Sequence, residues 1–163
     1  MTGSEKQYFS DMYKQHAKSL YGVCLMYLKN KDDAEEAVSE SFVRLMENAP
    51  EFESDAHAKA YLTRTAVNIC KNHLKSGWRK NTVHDEDVMM YMTTSEEESV
   101  MEEILSLPPK YRVILYMHYY MGYSTKEIAV IMNLSQSAVL SRLSRGRNRL
   151  RGILEEGGFN YAR

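Results

Sequence analysis

Apolar residues recur at steps of three and four along most of the chain, a period that predicts helices burying one side each. From about residue 5 to 29, Phe9, Met12, Tyr13, His16, Leu20, Val23, Cys24 and Tyr27 share one side of a first helix. A second helix starts at Asp32-Asp33, buries Ala34, Ala37, Val38, Ser41, Phe42, Leu45 and Met46, and ends at Asn48 and Pro50. A third is predicted from about His57 to Gly77, with Leu62, Ala66, Ile69 and His73 on its packing side. Between Asn81 and Glu98 the periodicity lapses, although Val88 to Met92 form a short apolar patch. A helix near Glu96 to Leu105 follows, then Leu107-Pro108-Pro109, a helix from Tyr111 to Met121, and Gly122 as its stop.

The next 30 or so residues carry explicit helix starts. Ser124 and Glu127 have capping-box spacing, and Ser135 is placed to cap a second helix after the turn Asn133-Leu134. Ile128, Ala129, Ile131 and Met132 give the short helix an apolar face; Val139, Leu143 and Leu150 give the long one a buried seam. Small Ala129 would let the two helices cross closely. The opposite side of the long helix presents Ser141, Arg142, Ser144, Arg145, Asn148 and Arg149, and no acid lies between residues 135 and 151. This is the layout of a helix-turn-helix with a cationic second helix, suited to a phosphate-lined groove.

Charge changes the picture more than composition does. The net charge of −1 conceals alternating blocks: residues 1–58 hold six basic and eleven acidic side chains, and residues 59–80 hold six basic and none acidic. Residues 81–109 hold eight acids and no Lys or Arg, and residues 110–154 hold eight basic side chains against the single acid Glu127. Two basic surfaces separated by an acidic connector are therefore expected. In the third helix Arg64, Asn68, Lys71, Asn72 and Lys75 fall within about one third of the circumference. Tyr61 and Trp78 stand near its ends, a mixture suited to phosphates and to stacking on unpaired bases.

The fold class expected is all-α, as two small helical domains. Residues 1–80 form the first, residues 81–98 a flexible acidic linker, and residues 99–163 the helix-turn-helix domain. The 163 residues and 44% hydrophobic content suffice for two small cores. Cys24 and Cys70 are isolated among apolar neighbours, which reads as buried thiols in a reducing cytoplasm. No apolar run approaches the roughly 18 residues of a membrane helix, so a cytoplasmic protein is expected. The outer face of the second helix (Glu35, Glu36, Ser39, Glu40, Val43, Glu47) could in principle hold metal or do acid–base chemistry, but no Glu-x-x-His accompanies it. A solvated or protein-contacting face is the better reading. No catalytic residue, metal site or cofactor is expected.

Three blocks carry a family resemblance. Residues 33–45 (DAEEAVSESFVRL) and 60–72 (AYLTRTAVNICKN) resemble two helices of sigma region two; Leu107-Pro-Pro-Lys-Tyr-Arg112 with the helix-turn-helix resembles sigma region four. In this order and spacing, over nearly the whole chain, they resemble bacterial RNA polymerase sigma factors of the extracytoplasmic-function type.

The resemblance implies an initiation factor without catalytic activity that recruits core RNA polymerase to promoters and helps melt them. Glu36, Ser39, Glu40 and Val43 would bind the polymerase clamp helices. Tyr61, Arg64, Asn68, Lys71, Asn72 and Lys75 would engage the minus-ten element, with the loop from Phe52 to Ala60 receiving a flipped base. Gln136, Ser137, Leu140, Ser141, Arg142 and Arg145 would read the minus-thirty-five element. The linker would thread toward the polymerase active site, and an anti-sigma factor is an expected partner. Three positions depart from the family: Ser39 stands where glutamine is common, Asn133 replaces a turn glycine, and Leu140 replaces a polar or basic residue, which leaves both packing and contact with a thymine methyl open. The rival reading is a conventional helix-turn-helix regulator with an N-terminal effector or dimerisation domain.

Overall fold

A computed structural model describes residues 1–48, 50–76, 86, 88 and 98–157. The chain divides into two compact units, residues 1–82 and 83–163. Among the described residues the secondary structure is helical, with no strand. Trp78, the patch Met89 to Met92 and most of the expected linker lie outside the described residues; within that linker Glu86 and Val88 are helical and Val88 is buried.

In the first unit α1 (Gly3–Leu28), α2 (Lys31–Asn48) and α3 (Asp55–Lys75) pack pairwise into a three-helix bundle. Thr2 and Glu5 close a capping box at the start of α1, and Lys29, in the left-handed conformation at φ 53°, ends it. Asn30 then starts α2: its Oδ1 accepts from the Asp33 amide at 3.0 Å. Ser54 does the same for α3, accepting from the His57 amide. Leu20, Leu25, Leu28, Leu45, Leu62, Ala66 and Val67 are almost wholly inaccessible, and burying a leucine side chain is worth about 1.5–3 kcal/mol. Gly22 to Leu28 are buried on every side, a deeper enclosure of α1 than one apolar stripe predicts. Asp33 Oδ2 lies 3.6 Å from His73 Nε2, which ties the start of α2 to the end of α3.

In the second unit α4 (Glu98–Leu105), α5 (Pro109–Tyr119), α6 (Thr125–Met132) and α7 (Gln136–Glu156) surround a core of Met101, Leu105, Val113, Ile114, Met117, Ile128, Ile131, Val139 and Leu143. Pro109 sits in the first turn of α5, where its missing N–H costs nothing. Arg112, one of the eight cations expected on the surface, is buried instead and donates to the carbonyls of Leu105 and Leu107. It satisfies backbone acceptors that the end of α4 leaves without helical partners. The stop of α5 falls at Tyr120, two residues before Gly122, which takes the left-handed turn at φ 73°.

Candidate nucleic-acid interface

The helix-turn-helix forms as its caps dictate. Ser124 Oγ accepts from the Glu127 amide while the Glu127 carboxylate accepts from the Ser124 amide, so α6 starts with both orphan donors satisfied. Asn133 adopts φ 54° and ψ 50°, supplying the left-handed turn residue that a glycine would otherwise provide. Ser135 Oγ accepts from the Ala138 amide and starts α7. Upstream, His118 Nδ1 lies 2.9 Å from the Tyr123 carbonyl and braces the approach to α6.

Helix α5 approaches α7 closely at Gly146. A Cβ on Gly146 would lie 3.3 Å from the Tyr111 Cβ, so glycine at that position admits the neighbouring helix. Arg149, expected on the groove-facing side, is turned over the Tyr111 ring at 5.0 Å, and Arg147 donates to the Tyr119 hydroxyl at 2.8 Å. The cations of α7 thus differ: Arg147 and Arg149 lie against α5, while exposed Arg145 and half-buried Arg142 stand in the first half of the helix. Gln136 reaches back to Thr125 Oγ1 at 2.9 Å, joining the starts of the two helices. Leu140 is 50% exposed, so its neighbours leave about half of its surface open.

On α3, Arg64, Asn68, Asn72 and Lys75 are exposed along one strip, and Leu62, Ala66 and Ile69 are buried behind it. Lys71 is half-buried with an interaction of its own, so it is less available than its place on the helical wheel suggests. Tyr61 packs its ring against Phe52 at 5.3 Å, and Phe52 meets His57 edge-on at 5.3 Å. The Glu53 amide donates to His57 Nδ1, so the loop before α3 is pinned to its first turn. No spacing in the sequence announces this aromatic cluster, because its members belong to a loop and two turns of a helix.

On α2, Glu35, Glu36, Ser39, Glu40, Val43 and Glu47 are all exposed, as the helical period requires. Glu40 pairs with Arg44 at 2.7 Å, one turn on. Among the described residues no cluster of His, Cys, Asp and Glu could hold a metal ion, and no helix is long and apolar enough to cross a membrane.

Residues 12–80 match the family Sigma-70 region 2, and residues 97–150 match Sigma-70, region 4. The chain is 25% identical to the ECF RNA polymerase sigma factor SigW of Bacillus subtilis over 91% of its length and 89% of that protein's. It is 27% identical to the ECF sigma factor SigL of Mycobacterium tuberculosis over 90% and 89%. Its fold resembles CnrH, solved in complex with the cytosolic domain of CnrY, at a TM-score of 0.70 and 20% identity over 93% of this chain and 90% of that one. It also resembles the Bartonella quintana sigma factor RpoE, solved with the anti-sigma factor NepR, at 0.69 and 18% identity over 94% and 98%. A conventional regulator with an unrelated N-terminal domain does not explain the region 2 match. The chain belongs to the sigma-70 family, as an RNA polymerase sigma factor of the extracytoplasmic-function type.

Proposed function

We propose that this sigma factor divides promoter recognition between its two units and attaches to core RNA polymerase through α2. The exposed strip of Arg64, Asn68, Asn72 and Lys75, with Tyr61 and Lys71 at its margin, takes the minus-ten element as it opens. Gln136, Ser137, Leu140, Ser141, Arg142 and Arg145 read the minus-thirty-five element in the major groove. Glu36, Ser39, Glu40 and Val43 meet the polymerase. The protein acts in the cytoplasm without catalysis of its own, and an anti-sigma factor is its expected regulator; the Bartonella quintana sigma factor was solved in complex with one.

The observation that carries the reading is that each unit exposes a helix face, residues 64–75 of α3 and 136–151 of α7, bearing cations and hydrogen-bonding side chains without acids. In the second unit that helix starts on the Ser135 cap, and its first turns expose Ser137 and Leu140, as major-groove docking requires. The test is reconstitution: the chain should co-purify with core polymerase and direct transcription from a double-stranded promoter obtained by selection from random sequence. Binding to DNA without assembly on the polymerase would return the protein to the class of simple regulators.

A further inference from the structure

We propose that Leu140 is a specificity-determining residue that reads the 5-methyl group of one thymine in the upstream promoter element. The inference rests on the assignment of α7 to the major groove and deepens it. In the first nine residues of α7 the side chains around Leu140 are short: exposed Ser137 and Ser144 flank it at three and four residues' spacing, and half-buried Ser141 adjoins it. Gln136, the other long neutral side chain there, is tied to Thr125. Leu140 therefore stands above a floor of hydroxyls as the one long apolar group on that part of the helix, 50% exposed.

An isolated exposed leucine needs no explanation on an ordinary surface. This one occupies the N-terminal half of a helix whose corresponding residues face base edges when such a helix enters the major groove. A leucine offers no donor or acceptor, so it cannot read guanine, cytosine or adenine by hydrogen bonds. The apolar feature that a base pair displays in the major groove is the thymine methyl. Contact between the two removes both from water, and the neighbouring hydroxyls are too short to compete for the same space.

The test uses holoenzyme assembled from the full chain and core polymerase, with a duplex promoter probe obtained by selection. Each thymine of the upstream element is replaced singly by deoxyuridine, which deletes the methyl and leaves base pairing intact. At one position the parent should lose about fourfold in affinity, the worth of one methyl-sized group removed from water. Leu140→Ala should bind the thymine probe more weakly by a similar factor and no longer distinguish thymine from deoxyuridine there. Leu140→Met should keep most of the discrimination. Equal binding of all deoxyuridine probes by the parent, undiminished discrimination by Leu140→Ala, or selected promoters without thymine in the upstream element would each overturn the proposal. Arg145→Ala on the unmodified probe separates the two levels. If it weakens binding while Leu140→Ala does not, α7 still reads the element and the methyl contact alone is refuted; if neither does, the docking of α7 is wrong as well.

Discussion

Helices α3 and α7 have the same length, 21 residues, and each starts on a serine cap, yet they are mounted in opposite ways. Helix α3 buries Ala58, Leu62, Thr63, Ala66, Val67, Ile69 and Cys70 along its whole length and leaves one strip exposed. Helix α7 buries only Val139, Leu143, Gly146 and Leu154, so most of its circumference stays exposed. A helix with so much free surface fits a duplex groove about 12 Å wide. An embedded helix cannot enter such a groove, and its strip is better matched to a strand that comes to it. The polar residues differ accordingly: α3 mixes asparagines with cations, whereas α7 combines serines with arginines.

A large effect should come from breaking the single-strand side of that contrast. Asn68→Ala with Asn72→Ala removes the side chains on α3 that can both donate to and accept from an extruded base. Two lost hydrogen bonds at about 1 kcal/mol each correspond to a roughly thirtyfold loss of strand opening. Permanganate reactivity of unpaired thymines measures the opening. Recruitment to the promoter should persist, and a template already mismatched across the minus-ten region should recover part of the transcription. Opening of duplex promoters at the parental level would remove α3 from melting.

On the duplex side, Arg142→Ala or Arg145→Ala should cost about 1–3 kcal/mol in promoter affinity where the arginine makes a bidentate base contact. Where it meets phosphate instead, the salt dependence of binding should become shallower. Arg147→Ala and Arg149→Ala sharpen the comparison, because these side chains are occupied by Tyr119 and Tyr111 and should affect the stability of the second unit more than DNA affinity. Promoter affinity indifferent to Arg142 and Arg145 but sensitive to Arg147 and Arg149 would invert the division of α7.

The two helices were legible in the sequence to different depths. Around α6 and α7 the caps Ser124, Glu127, Asn133 and Ser135 are local signals, and local chemistry decides where such helices start and turn. Along α3 the helical period alone separated Asn68 and Asn72 from Leu62 and Ala66. What escaped was set by contacts distant in sequence or by side-chain direction. Arg112 reads as one more surface cation until the carbonyls of Leu105, at the end of α4, and Leu107, just beyond it, meet the guanidinium. The role of Gly146 depends on Tyr111, distant in sequence, lying across it. Lys71 shares a face with Arg64 on a helical wheel, but its margin of that face is half-covered.

The acidic face of α2 supplies a control within the first unit, since it lies on the same bundle as α3 with opposite charge. Glu36→Lys with Glu40→Lys should slow assembly with core polymerase and weaken it by about 1 kcal/mol or more, with a marked dependence on ionic strength. The Glu40 pair with Arg44 is exposed, so its loss should leave the fold nearly unchanged. Normal holoenzyme formation by this variant, measured by competition against the parent, would detach α2 from the polymerase.

The smallest effect concerns the bundle that holds α3 in place. His16 on α1 is buried at 4% exposure, and its Nε2 has no hydrogen-bond partner among the described residues. Burial holds its pKa below the ordinary 6.5; Asp55 pulls the other way, and Lys59 adds to the depression. An unfolded chain takes up the proton near pH 6.5 while the folded chain resists it until lower pH, so the unfolded state binds more protons in that window. Stability of the first unit should therefore be unaffected by this group above about pH 7 and fall as pH drops through 6.5 toward the lowered folded value, levelling off below it. Urea unfolding of the full chain, followed by far-UV circular dichroism of its helices, measures the trend. Replacing His16 with Gln should flatten the slope between pH 7 and the lowered folded value even where it reduces stability overall, because glutamine takes up no proton. Parallel pH profiles for parent and variant would show that His16 keeps the same proton affinity folded and unfolded.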